Sequence, residues 1–262
     1  MSSRERVLVF DFDGTVSLGH GPIRSYARFI AGGLATAQAV EFLGRFEDGI
    51  SAAPSATDPA AQPIDGYDLV RLLAEQYSVG ATARSAAYLA SRHELATCAA
   101  PVSSPAGLAG FLTEARPAAY LVLATNAPAI RIDEALSALG LTGAFDLVQT
   151  DVGKPAGFGP LLERLLTRLP AGSSPANLAS VGDVWANDLA PASRRGATTA
   201  LVGTHLPPNA NPTYRAELLH ELYPALRGWL KSTTAPAPGS TWHTPASTAA
   251  HTTALITEKA DQ

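Results

Sequence analysis

With 262 residues and a hydrophobic fraction of 46%, the chain has enough apolar material for a sizeable core, which excludes wholesale disorder. A net charge of −4 and a pI near 5.8 exclude the strongly basic character that nucleic-acid binding calls for. The single cysteine, Cys98, rules out an internal disulfide. No apolar run is long enough to span a bilayer, and none has the form of a secretory signal, so a soluble cytoplasmic protein is expected, with neither nucleic acid nor membrane as partner.

The chain opens on an apolar run, residues 7–10, that stops at Asp11-Phe12-Asp13-Gly14-Thr15. Four apolar residues feeding a glycine turn read as a buried parallel strand ending at its carboxyl edge. Amphipathic stretches follow at 23–34, 37–46, 67–77 and 83–95, and 104–115 is expected to return the chain to the sheet. The Ala-, Pro- and Ser-rich segment 52–63 reads as a loop. Further strands are predicted at 120–125, 146–149, 178–181 and 199–202. They alternate with helices at 129–139, 160–168 and 186–195, and 213–230 is a final helix. Residues 232–262, dominated by Thr, Ala, Pro and Ser, read as a disordered tail.

Strands alternating with helices imply βαβ units. The fold class is therefore α/β, a doubly wound, mostly parallel sheet of Rossmann-like type. About a hundred residues between the first two strands are too many for a loop, and form an inserted α-helical subdomain. Expected boundaries are 1–17 with 101–231 for the core and 18–100 for the helical cap, before the tail.

Four polar groups fall just beyond predicted strands: Asp11 to Thr15, Thr125-Asn126, Gly153-Lys154-Pro155, and Gly182-Asp183 running on to Asn187-Asp188. Each alone also reads as an ordinary turn or helix cap. Their order along successive strand ends is what points to chemistry, because open α/β sheets bind ligands at that edge. Only Lys154, Lys231 and Lys259 are lysines, so Lys154 is nearly the sole candidate for a lysine role.

This order resembles the haloacid dehalogenase superfamily of hydrolases, over about residues 5–205. The resemblance implies that Asp11 is a nucleophile forming an aspartyl-phosphate, and that Asp13 is the general acid and base. Thr125, supported by Asn126, would bind the phosphoryl group and Lys154 would stabilise it, with the loop from Asp11 through Phe12 to Asp13 completing the phosphate site. Asp183 would be the principal metal carboxylate and Asp188 a second acid nearby. Mg²⁺ is the expected cofactor, held by Asp11, the main-chain oxygen of Asp13 and Asp183, since carboxylates without a His or Cys cluster suit a hard cation. Val184 departs from the Ser or Thr that relatives often carry after the metal acid.

The resemblance also separates reactions. The dehalogenases it resembles lack an acid two residues after the nucleophile, whereas Asp13 is present. The phosphonatases use a cap lysine, and residues 16–105 hold none. A phosphatase acting on a small phosphorylated metabolite is expected. A phosphotransferase or mutase on a sugar phosphate, and a non-catalytic binding module, are the alternatives. Thr15, His20 and Arg24 are the substrate candidates because they follow the first strand closely. The other cap arginines, Arg28, Arg45, Arg71, Arg84 and Arg92, are expected on solvated helix faces. Trp185 reads as either pocket border or packing, and Cys98 and Tyr88 as helix or core residues.

Overall fold

The computed structural model describes residues 4–52 and 63–232. Its centre is a six-stranded sheet in the order β3-β2-β1-β4-β5-β6. The strands are β1 (Arg6–Phe10), β2 (Ala119–Ala124), β3 (Leu147–Gln149), β4 (Leu178–Gly182), β5 (Thr198–Val202) and β6 (Tyr214–Ala216). Every neighbouring pair is parallel.

β1 lies between β2 and β4, with Leu8 opposite both Leu121 and Ala179. It is buried along its whole length, which explains an apolar run with no polar alternation. Its side chains divide by parity. Leu8 and Phe10 join one core with Leu121, Leu123, Phe111 and Trp229. Val7 and Val9 join the other with Val122, Leu162 and Leu165. Helices therefore cover both faces: α5 (Leu108–Ala115), α6 (Ile132–Ala138) and α9 (Leu219–Lys231) on the first, α7 (Phe158–Leu166) on the second. Strand order runs outward in both directions from β1, making the β1/β4 junction the switch point where a ligand crevice opens.

Between β1 and β2 the chain builds α1 (Gly21–Ala31), α2 (Thr36–Ser51), α3 (Gly66–Gln76) and α4 (Ala81–Arg92). Pro22 opens α1, where its fixed φ is suited to the first turn. Asp65 caps α3 by accepting the Asp68 amide at 2.7 Å. The four helices enclose their own core of Tyr26, Ala27, Ile30, Phe42, Phe46, Val70 and Leu73. The outgoing and returning chains touch in one two-bond bridge, Leu18 with Ser103, at 2.8 and 3.0 Å.

The five predicted strands are present. The final segment differs from expectation: 213–230 is not one helix, because Tyr214–Ala216 forms edge strand β6 and the helix begins at Leu219. Thr213 and Thr199 exchange amide-to-hydroxyl bonds at 2.9 and 3.1 Å, and these draw the segment onto β5. The helix expected at 186–195 is a π turn, Trp185–Leu189, running into the short α8 (Ala190–Ser193). Cys98 is exposed in a turn rather than on a helix or in the core. Most of the expected loop at 52–63, and all but the first residue of the tail at 232–262, lie outside the described residues. Among the described residues no helix is long and apolar enough to cross a membrane.

Candidate active site at the carboxyl edge of the sheet

Beyond β1, the Asp11 amide donates to Val181 O at 2.9 Å, tying the first acid to β4. The amides of Val16 and Ser17 both return to Phe12 O, at 2.9 and 2.8 Å, and close the loop. Gly14 adopts φ +87°, and a Cβ there would stand 2.3 Å from Asp183 Oδ2. Glycine is thus required both by the left-handed backbone and by the approach of the second acidic loop.

β2 and β3 set the next two groups. The Thr125 amide donates to Gln149 O at 3.0 Å, and the Val152 amide donates back to Thr125 O at 3.1 Å. The Thr125 hydroxyl accepts from the Ala127 amide at 3.0 Å. The Asn126 side chain binds Lys154 through both main-chain groups, donating to its carbonyl at 3.1 Å and accepting from its amide at 2.6 Å. The buried Lys154 ammonium donates to Asp11 Oδ1, to Asp188 Oδ1 at 2.6 Å and to Ala124 O at 2.9 Å. Three donors meet three acceptors, which fixes the ammonium between two carboxylates.

The π turn after β4 swings Asp188 back under the sheet edge, where Asp188 Oδ2 accepts the Val184 amide at 3.0 Å. A Cβ at Gly182 would lie 2.4 Å from Asp188 Cβ, so only glycine admits this return. Both Asp188 oxygens already have donors. Carboxylate oxygens of Asp11, Asp183 and Asp188 lie within 4.8 Å of one another.

Such crowding is costly for like charges. Burial first, then the Asp188 charge, push Asp11 up to about 7, with Lys154 opposing. Burial, Asp11 and Asp188 raise Asp183 well above the carboxylate range. Asp188 is raised by burial, against the pull of Lys154. Burial alone would depress Lys154, yet Asp11 and Asp188 outweigh it and hold the ammonium above its ordinary value. Three carboxylates facing one ammonium leave two negative charges uncompensated. An all-oxygen donor set with that deficit fits a divalent hard cation such as Mg²⁺.

Asp13 faces the helical layer. Tyr67 of α3 donates its hydroxyl to Asp13 Oδ1 at 3.3 Å. Arg92, the last residue of α4, brings Nη1 to 3.4 Å from both Asp13 oxygens and 3.2 Å from the Tyr67 hydroxyl. Arg92 is only 1% exposed, and its Nε and Nη2 have no partner among the described residues. This corrects the expectation of a solvated arginine at 92. The four-residue spacing puts Tyr88 and Arg92 on one helix face, but the sequence does not say which surface that face meets.

Asp11, Asp13, Thr125, Asn126, Lys154, Asp183 and Asp188 line one cavity of about 470 Å³. Phe12 is fully buried in the core, so only its main chain is left for a phosphate. Thr15 is buried with its hydroxyl 3.5 Å from Asp183 Oδ1. His20 lines a second cavity of about 390 Å³ that shares Asp13, Asp65, Tyr67 and Asp183 with the first. Arg24 lines neither cavity and forms an exposed pair with Glu47 at 2.8 Å. Trp185 does not line the main cavity.

Neither a protein-family model nor a curated protein matches the sequence. Solved structures do match. A HAD phosphatase from Thermococcus onnurineus is 21% identical over 85% of this chain and 98% of its own, with a TM-score of 0.53. A Bacillus subtilis protein described as a HAD-hydrolase and solved bound to magnesium is 19% identical over 86% of this chain and 99% of its own, at 0.54. The L-2-haloacid dehalogenase RSc1362 is 19% identical over 85% of this chain and 98% of its own, at 0.51.

Proposed function

We propose that this chain, which has the fold of the haloacid dehalogenase-type hydrolases, is a Mg²⁺-dependent phosphatase that cleaves a small phosphomonoester through an aspartyl-phosphate on Asp11. The observation that carries this reading is Lys154 held between Asp11 and Asp188 in the wall of a cavity that Asp13 and Thr125 also line. Residues 18–100 act as a cap that excludes water during transfer.

An ion held by Asp11 and Asp183, with the Asp13 carbonyl, would lower the repulsion between a carboxylate and a phosphate dianion. Asp11 attacks phosphorus, the ester P–O bond breaks, and Asp13 protonates the departing alkoxide. Asp13 then takes a proton from water, the resulting hydroxide attacks phosphorus, and the Asp11 carboxylate is released with phosphate. Lys154 and the Thr125 hydroxyl receive the charge that develops on the phosphoryl oxygens. A halide leaves without needing a proton, so an acid beside the nucleophile supports an oxygen leaving group over carbon–halogen cleavage.

The test is release of p-nitrophenol from p-nitrophenyl phosphate with Mg²⁺. Asp11→Asn is expected to abolish it, as is chelation of the metal. Undiminished turnover by Asp11→Asn would overturn the nucleophile assignment.

A further inference from the structure

Away from the phosphoryl site, the wall of the same cavity is built by the helical layer. Tyr26, Tyr67 and Tyr88 form it together, with ring centroids 5.7 to 6.3 Å apart. The Tyr67 hydroxyl is committed to Asp13. Tyr26, Tyr88 and Ser85 line the cavity, and their hydroxyls have no hydrogen-bond partner among the described residues. This wall therefore offers aromatic surface and free hydroxyls.

What it lacks is surplus positive charge. Arg71 lies 2.7 Å from Asp68 and 3.0 Å from Glu75. Arg84 lies 3.2 Å from Glu75 and donates to Val79 O at 2.8 Å. Asp65 adds a third carboxylate to the two that these guanidiniums already face. Arg92 is taken by Asp13, and Lys154 by Asp11 and Asp188. The segment 53–62, outside the described residues, holds no Lys, Arg or His. A second anionic group on the substrate would meet a wall that is neutral to negative, and would lose hydration without gaining a partner.

We propose that the ester cleaved here carries an uncharged, polyhydroxylated ring as its alcohol, of the sugar type, and that a second anion on the substrate is selected against. A volume of about 470 Å³ takes a phosphoryl group and one such ring. The ring's apolar face lies on the tyrosines, while its hydroxyls bond Tyr26, Ser85 and Tyr88. This inference rests on the phosphatase reading.

The experiment compares kcat/KM for glucose 6-phosphate and ribose 5-phosphate with that for 3-phosphoglycerate and fructose 1,6-bisphosphate, with p-nitrophenyl phosphate as reference. The uncharged rings are expected to lead by about tenfold or more, the scale set by one or two unmade polar contacts. Equal or better turnover of the esters that carry a second anionic group, with p-nitrophenyl phosphate still cleaved, would overturn the inference and leave the phosphatase reading standing. Inactivity toward every ester overturns both. The double variant Tyr26→Phe, Tyr88→Phe removes only two hydroxyls, and should lower the ratio of glucose 6-phosphate to p-nitrophenyl phosphate turnover about fivefold or more. An unchanged ratio counts against the proposal. Glu75→Gln, which loosens the hold on Arg71 and Arg84, should raise turnover of 3-phosphoglycerate relative to glucose 6-phosphate, and a fall would contradict the charge argument.

Discussion

The Arg92 guanidinium, at the end of α4, stands 3.4 Å from both carboxylate oxygens of Asp13, a residue 79 positions earlier in the chain. A helix inserted into the sheet's first crossover thus reaches back to the group proposed to move protons. Two of the Arg92 nitrogens are buried without partners, an arrangement that costs stability, while the Asp13 side chain keeps 23% of its exposure and some hydration. Arg92→Met should therefore lower the melting temperature less than the loss of one partner from a fully buried pair, which costs about 3–5 kcal/mol, because the variant also removes two orphaned nitrogens and leaves Asp13 partly hydrated. The same change should lower kcat by about 10- to 100-fold, because an unpositioned proton donor forfeits much of general acid catalysis. Unaltered kcat in a folded Arg92→Met protein would show that the contact only closes the helical layer.

Metal and protons compete for the acidic cluster. Asp11 is pushed up to about 7, and Asp183 and Asp188 are also raised. A carboxyl whose folded pKa exceeds its unfolded value near 4 holds more protons folded than unfolded. The metal-free protein should accordingly lose stability as pH rises from about 4 through about 7. Mg²⁺ displaces those protons, so the rise in melting temperature on adding Mg²⁺ should be larger at about pH 8 than at about pH 5.5. At a concentration a hundredfold above its dissociation constant the ion would contribute about 2.7 kcal/mol. Scanning fluorimetry at both pH values measures this directly, and an increment independent of pH would argue against an ion among these acids.

Gly14→Ala places a methyl carbon 2.3 Å from Asp183 Oδ2, inside van der Waals contact, and asks for φ +87° from a residue with a Cβ. The backbone strain costs about 1 kcal/mol or more. The displaced Asp183 should weaken metal binding, and the expected signature is a Mg²⁺ requirement shifted to higher concentration together with a lower kcat. A Gly14→Ala protein with the wild-type Mg²⁺ titration would place Asp183 outside the metal's reach.

Asp146 serves a structural purpose at the opposite end of the strands. It accepts the Leu121 amide at 2.8 Å and pairs with Arg4 and Arg116. Partial burial works to raise its carboxyl, but Arg4, Leu121 N and Arg116 outweigh it and hold the group below the ordinary range. A depressed folded pKa contributes stability above the unfolded value, lost as pH falls through the folded one. Asp146→Asn should therefore cost about 1–3 kcal/mol near neutrality. The gap should close under acid conditions, as followed by urea denaturation across pH.

Much of the sheet could be read from the residues themselves, since strands buried on both faces announce themselves as unbroken apolar runs. β1 and β2 are such runs. β6 is not: Tyr214, Arg215 and Ala216 carry no such pattern, and their pairing depends on Thr213 meeting Thr199 across the sheet edge. The strand-end residues Asp11, Thr125, Lys154 and Asp183 were legible because the parallel topology must bring successive strand ends to one edge. Tyr67 and Arg92 were not, since their relation to Asp13 depends on how four helices stack on one another, and helical periodicity reports a buried face without naming what it meets. The segregation of hydroxyls from charge on the far wall of the cavity belongs to the same class. It arises from pairs such as Arg84 with Glu75, nine positions apart on different helices.

The two bonds between the Asn126 side chain and the main chain of Lys154 have the geometry of one more rung. The regular β2–β3 register ends at Ala124 and Gln149, backbone bonds from Thr125 and Ala127 still reach residues 149–152, and the primary amide adds a side-chain rung beside them. A side chain that imitates a peptide group extends the stiffness of the sheet into a loop. The ammonium is consequently aimed from a nearly rigid platform, while its counter-charges come from two other strands. Asn126→Leu should leave the sheet intact and let the lysine wander. Its mark would be a lower rate at saturating substrate with little change in melting temperature.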